Sequence, residues 1–199
     1  MFQTRNTHAK FAAVASLVFA FAVGCVAKTH SDGKFSSVKI SNFGQMDERF
    51  YRGARPKEKD FATLKALGIQ TIIDLTDNTP EEKGFVEAQG MHYVNIAIED
   101  KKDPSEAQIA EFMNVVNDPQ TGKFYVHCAG GRHRTGVMGA IYRFNNYHWT
   151  LDQAYAEMLD FDFYTSNGHG GQKKFVESYW ANTQHNTADA AATSSSQKN

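Results

Sequence analysis

A cysteine, three glycines, two arginines and a threonine stand together in Cys128-Ala129-Gly130-Gly131-Arg132-His133-Arg134-Thr135-Gly136. Each of these residue types has a use at phosphorus. A cysteine thiolate is a strong nucleophile, and neighbouring cations favour it over the thiol. Paired glycines let the chain curl so that successive backbone N–H groups converge into a concave anion nest. Arginine offers a planar fork of donors that matches two phosphoryl oxygens at once. A threonine hydroxyl can donate a hydrogen bond to sulfur. Together they imply in-line displacement at phosphorus by Cys128, through a covalent intermediate that water then releases.

The flanking sequence supplies the elements that must hold such a loop. The apolar run Phe124-Tyr125-Val126 leads into it, and beyond it Val137, Ile141 and Phe144 share one helical face. This is strand, loop and helix. The loop therefore sits at a helix N-terminus, where orphan N–H groups and the helix dipole favour an anion. A buried structural cysteine would account for Cys128 alone. It leaves the glycines and both arginines unexplained.

The pattern His127-Cys128-x5-Arg134-Thr135-Gly136 resembles the signature loop of cysteine-dependent protein tyrosine and dual-specificity phosphatases. The full string from Cys128 to Gly136 is most similar to the plant-and-fungi atypical dual-specificity group and its bacterial relatives. The resemblance runs from about Tyr51 to Trp180. A rhodanese-type sulfur-transfer loop also places a cysteine after a strand, but its usual loop is shorter and need not end in Arg-Thr.

The resemblance implies an α/β sandwich, with a central, partly parallel sheet flanked by helices. It also implies a phosphate monoester hydrolase of the phosphotyrosine or dual-specificity type, working through a phosphocysteine on Cys128. Ala129, Gly130, Gly131, Arg132, His133 and Arg134 would bind the phosphate, Arg134 gripping two equatorial oxygens. Thr135 would ease departure of the sulfur in the second step. No cofactor is called for, and no metal; the histidines show no His-Glu-x-x-His spacing. The expected substrate is a phosphorylated protein or a small-molecule phosphate. Inositol (pyro)phosphates and phospholipid head groups suit the same mechanism, and a phosphate-binding module without turnover is the rival of another class.

A leaving alkoxide needs a proton, so a carboxylic acid must reach the site from another loop. Asp100 and Asp103 both lie in the segment that carries this acid in dual-specificity phosphatases. Asp103 precedes Pro104 and has Glu106 three residues on, which an N-cap explains. Asp100 has no such structural use and is favoured. His127 reads as an orienting neighbour of the loop or as a satisfied strand-end histidine. Arg132 and His133 are expected to project and add positive charge at the rim, with solvated surface charge as the alternative. Arg52 and Arg55 are further candidates to face the pocket.

The chain has 199 residues, 41% apolar and 22% charged, which suits one domain with a sizeable core. Arg5, His8 and Lys10 precede an uncharged run from Phe11 to Val23, then Gly24-Cys25. That is the layout of a secretory signal, too short to span a bilayer. The Gly24-Cys25 junction resembles a bacterial lipobox, with Ala22 where leucine is usual. It implies lipidation of Cys25, a membrane partner through the lipid anchor, and export; Val26 in place of aspartate implies the outer membrane, facing the periplasm. Ordinary cleavage nearby and an uncleaved anchor are the alternatives.

Residues 1–25 are thus expected to be a signal segment, 26–37 a linker, 38–182 the catalytic domain and 183–199 a disordered tail. Removing residues 1–24 takes Arg5 and Lys10 and no acid, leaving 19 basic against 22 acidic side chains. With no basic run there is no footprint for nucleic acid. Cys25 and Cys128 are the only cysteines, so Cys128 has no intrachain disulfide partner once Cys25 is lipidated or removed. Oligomeric state is left open.

Along the domain, 38–43 and 50–52 read as short strands. Pro56 opens a helix carrying Phe61, Leu64 and Leu67, and Ile69 to Leu75 is a buried strand. Thr79-Pro80-Glu81-Glu82 caps a helix ending at Gly90, and Val94, Ile96 and Ile98 alternate as a strand. Asp103 caps the next helix, and Thr150 with Gln153 forms a capping box for another. A last helix carries Phe175, Val176, Tyr179 and Trp180.

Overall fold

The computed structural model describes residues 35–77 and 80–196, with side chains to residue 185. The signal segment with Cys25, most of the 26–37 linker and the Thr79 cap lie outside the described residues. Among those described, no helix is long and apolar enough to cross a membrane.

Among the described residues five strands form one sheet: β1 (Gly44–Gln45), β2 (Phe50–Ala54), β3 (Ile69–Asp74), β4 (His92–Asn95) and β5 (Lys123–Cys128). Their order is β1-β2-β5-β3-β4, with β1 antiparallel to β2 and every other pair parallel. The expected α/β architecture with a partly parallel sheet is what the chain adopts. Both faces of the sheet are covered, so alternate residues of one strand enter different cores. Ile73, Phe124 and Val126 join the larger core, with Phe112, Ile141 and Met158. Ile69, Ile72 and Tyr125 join the smaller one, with Phe61, Leu64 and Val86.

Helices α1 (Asp60–Ala66) and α2 (Pro80–Ala88) cover the smaller core. Helices α3 (Glu106–Asn117), α4 (Arg134–Tyr147), α5 (Leu151–Asp160) and α6 (Gly170–Ser196) gather on the other side. Every residue of α4 from Arg134 to Phe144 is buried. The helix that follows the candidate loop is therefore locked by packing around its whole circumference.

Several expectations are corrected. Residues 38–43 form no strand. Asn42 takes a left-handed φ of 55°, and Ile40 and Phe43 instead bury their side chains in the smaller core. Helix α1 begins at Asp60 rather than Pro56, because the Asp60 carboxylate turns back to accept from the Lys57 N–H at 2.8 Å. Strand β4 ends at Asn95, although Ile96 and Ile98 still donate backbone bonds to Asp74 and Leu75. The cap of α3 is Ser105, in a capping box with Gln108, and Asp103 is exposed. The Thr150–Gln153 box on α5 is present as expected, and removing such a cap costs about 1 kcal/mol.

The stretch 183–199, expected to be disordered, is helical as far as Ser196. It lacks apolar periodicity, but Ala188 and Ala190 to Ala192 are strong helix formers continuing an established helix.

Candidate active site

Strand β5 is the middle of the sheet and delivers Cys128 at its C-terminal end, where open α/β sheets place their ligand sites. Register pairs Cys128 with Ala54 of β2 and His127 with Asp74 of β3. The loop then runs 129–133 and enters α4, whose N-cap His133 makes no side-chain capping bond.

Gly131 is where the loop most needs glycine. Its φ is +69°, and a Cβ there would collide with the backbone of Gly53 and Ala54. The loop thus packs directly on β2, with Arg55 N–H donating to the Ala129 carbonyl at 3.3 Å. The Gly131 carbonyl is held from behind by Arg52 Nη2 at 2.8 Å and Asn42 Nδ2 at 3.0 Å. Neither was identified in this role from the sequence, since the bonds join distant segments. Arg52 does not face the pocket. It lies buried beneath the loop, its guanidinium 4.1 Å from the centre of the Phe161 ring. Burial pulls its pKa down to about 10, against the charges of Glu157 and Cys128, which raise it. It therefore stays a cation at neutral pH.

The Cys128 thiol is buried, and burial pushes it up. The Thr135 hydroxyl and N–H, the Arg134 charge and the Gly131 N–H outweigh that burial. The thiol ends below its ordinary value, and the thiolate is favoured. The Thr135 hydroxyl is fully buried and has no other hydrogen-bond partner among the described residues, which leaves it available to turn toward the sulfur.

Arg134 donates from Nη1 to the Ile98 carbonyl at 3.0 Å, and its Nη2 lies 3.7 Å from Asp100 Oδ1. Asp100 is thereby brought to the loop. Arg132 is partly exposed at the rim, 3.7 Å from Asp162. His133 turns inward instead of projecting. Its ring lies against His169, Phe163 and Tyr164, and Nε2 meets the Tyr164 carbonyl at 3.1 Å. Burial and the neighbouring His169 lower its pKa to about 4, so it adds no charge at neutral pH.

His127 is fully buried behind the loop, its Nε2 2.7 Å from Glu82 and its Nδ1 3.7 Å from Asp74. Asp74 also accepts from Thr76 and from Tyr93 at 2.9 Å, and Glu82 pairs with Arg55 at 3.5 Å. Asp74, Glu82 and His127 are close enough together to hold an ion. The hydrogen bonds already made by Asp74 account for it as part of a buried acid–imidazole–acid cluster. Arg55 thus belongs to this cluster, whose acids no local spacing announced.

Residues 37–198 match the model of the tyrosine phosphatase family, and the chain belongs to that family. A probable tyrosine-protein phosphatase of Dictyostelium discoideum is 26% identical over 149 residues, covering 63% of this chain and 90% of that protein. An inositol diphosphatase of Arabidopsis thaliana is 32% identical over 104 residues, which is 49% of this chain and 51% of the relative. The core catalytic domain of the PP-IP phosphatase SIW14 from S. cerevisiae superposes with a TM-score of 0.60 at 21% identity, covering 69% of this chain and 85% of that one. TpbA from P. aeruginosa gives 0.60 at 19% identity, covering 69% and 84%. At these identities the two structures speak for a shared fold. Sequence relatives carry the names of tyrosine-protein phosphatases and of inositol diphosphatases alike.

Proposed function

We propose that the chain hydrolyses phosphate monoesters through a phosphocysteine on Cys128. The observation that carries this is the placement of Cys128 at the C-terminal end of β5, at the head of a glycine loop that packs on β2 and runs into α4 at Arg134, where the loop N–H groups and Arg134 favour the thiolate. Cys128 Sγ attacks phosphorus in line, a new S–P bond forms and the ester P–O bond breaks. Arg134 and the loop backbone carry the charge of the three equatorial oxygens. Asp100 gives its proton to the departing oxygen, and Thr135 donates to the sulfur when water later cleaves the S–P bond. Rapid mixing with an excess of aryl phosphate tests this. A burst of phenol matching the enzyme concentration supports a covalent intermediate, and binding without any release would leave a phosphate-binding module.

The substrate is either a phosphorylated protein or a small phosphate such as an inositol (pyro)phosphate. The second is favoured by relatives named inositol diphosphatases and by the partly exposed Arg132 at the rim. Phosphate release across a panel of phosphotyrosine peptides, inositol polyphosphates and phospholipid head groups decides between them. Lipidation of Cys25 and an outer-membrane location facing the periplasm complete the proposal, supported by the Gly24-Cys25 junction.

A further inference from the structure

The turn that carries Asp100 is not a comfortable one. Lys102 N–H closes it on the Glu99 carbonyl at 3.2 Å, and Lys101 is forced to a φ of 62°. Left-handed backbone is disfavoured for a lysine, and such a conformation persists only where its surroundings over-determine it. One hold is Arg134, through Ile98 and Asp100.

A second hold comes from the start of α6. Gln172 is fully buried, and its Nε2 reaches the Lys102 carbonyl at 3.5 Å. A carbonyl only accepts, so this end of the amide must be nitrogen, and its oxygen faces His169 Nδ1 at 2.9 Å. The oxygen in turn requires the proton on Nδ1. His169 lies flat on His133 of the phosphate loop, ring centres 3.4 Å apart and planes within 5°. The Lys101 side chain crosses Gly168, where a Cβ would stand 3.2 Å from Cδ. The chain of contacts runs from the phosphate loop through His169 and Gln172 to the acid turn, and returns through Arg134.

We propose that His169 and Gln172 are positioning residues that brace the Asp100 turn against the phosphate loop, fixing the distance between proton donor and nucleophile. This rests on the phosphatase reading above, with Asp100 as the acid. Neither side chain touches the reacting atoms. Their effect is confined to the step that uses the acid, and that distinguishes a brace from ordinary core packing.

The test compares two esters on the full chain. Phenolate leaves poorly and needs the proton, whereas 4-nitrophenolate leaves well without it. Gln172→Met keeps length and apolar packing and removes both amide bonds. It is expected to lower kcat/KM for phenyl phosphate about tenfold and for 4-nitrophenyl phosphate by no more than about threefold, a fraction of what a general acid supplies. It should also weaken the basic limb of the phenyl phosphate pH profile. Gln172→Glu, which turns an oxygen on the Lys102 carbonyl, and His169→Phe, which keeps the stack without the N–H, should show the same selectivity and serve if Gln172→Met does not fold.

Equal losses on both esters, or none, overturn the brace. Asp100→Asn separates the two levels: a selective loss there with none at Gln172 or His169 sinks the brace alone. No selective loss at Asp100 sinks the acid assignment and the brace with it, while a Cys128→Ser enzyme that still turns over sinks the whole reading.

Discussion

Arg134 Nη2 stands 3.7 Å from Asp100 Oδ1, joining the arginine proposed to grip the phosphoryl group to the acid proposed to protonate its leaving group. The pair is lopsided: the arginine side chain is 9% exposed and the aspartate 60%. An acid so solvated gains little stability from the contact, of the order of 0–1 kcal/mol. Its value is positional. The acid turn arrives at the loop because Arg134 holds Ile98 by its carbonyl, and other guanidinium donors remain for substrate oxygens.

Cys128→Ser is expected to abolish turnover while phosphate and vanadate still bind, since the loop backbone and Arg134 remain. Residual activity above a few per cent of wild type, measured with an aryl phosphate, would contradict a cysteine nucleophile.

Asp100→Asn is expected to lower kcat for phenyl phosphate by roughly 10²-fold, the usual worth of a general acid, and to flatten the basic limb of the pH profile. Asp103→Asn should do little, because Ser105 caps α3 and Asp103 is exposed. A larger loss at Asp103, with melting temperature unchanged, would move the role there.

Thr135→Ala removes the foremost of the hydrogen bonds that oppose the burial of Cys128. The thiol should rise, and the midpoint of iodoacetamide alkylation against pH should move to higher pH with it. An unmoved midpoint would show that the hydroxyl does not reach the sulfur.

His133 titrates near 4 in the fold against 6.5 when unfolded. Between those values the unfolded chain binds a proton that the folded one does not. The stability due to its neutral burial is therefore complete above about 6.5, is lost as pH falls toward 4, and changes no further below that. Thermal melts of wild type and His133→Asn over this range test it: the wild-type curve should be the steeper, and parallel curves count against the effect.

Cys25→Ser is expected to release the protein from membranes or block its maturation. One acyl chain anchors only marginally and two or more hold firmly, so the wild type should need detergent rather than salt for extraction. Labelling cells with a clickable fatty acid checks this, and an unlabelled, soluble protein would exclude the anchor.

The strand, loop and helix around Cys128 were legible because each announces itself locally: an apolar run, paired glycines, then one apolar face. The N-cap of α3 was misread because Asp103-Pro104 and Ser105 offer competing caps two residues apart, and only the Gln108 side chain decides between them. The inward turn of His133 depends on His169, and the burial of Arg52 on Phe161. Such pairings belong to the tertiary fold, and a linear spacing carries no sign of them. Helix α6 past residue 183 escaped for another reason, since helix propensity without amphipathic period leaves no stripe to detect.

The bond between Arg52 and the Gly131 carbonyl closes a span of 79 residues. Its consequence is kinetic. Parallel pairing of β2 with β5 must wait for the intervening chain to fold across, and contacts so distant in sequence form slowly. Until then β5, even when paired with β3, keeps its other edge bare beside Cys128, open to strand-to-strand association. Recovery of alkylation-competent thiolate during refolding should accordingly trail the appearance of helical signal, making the nucleophile a clock for the last step of assembly.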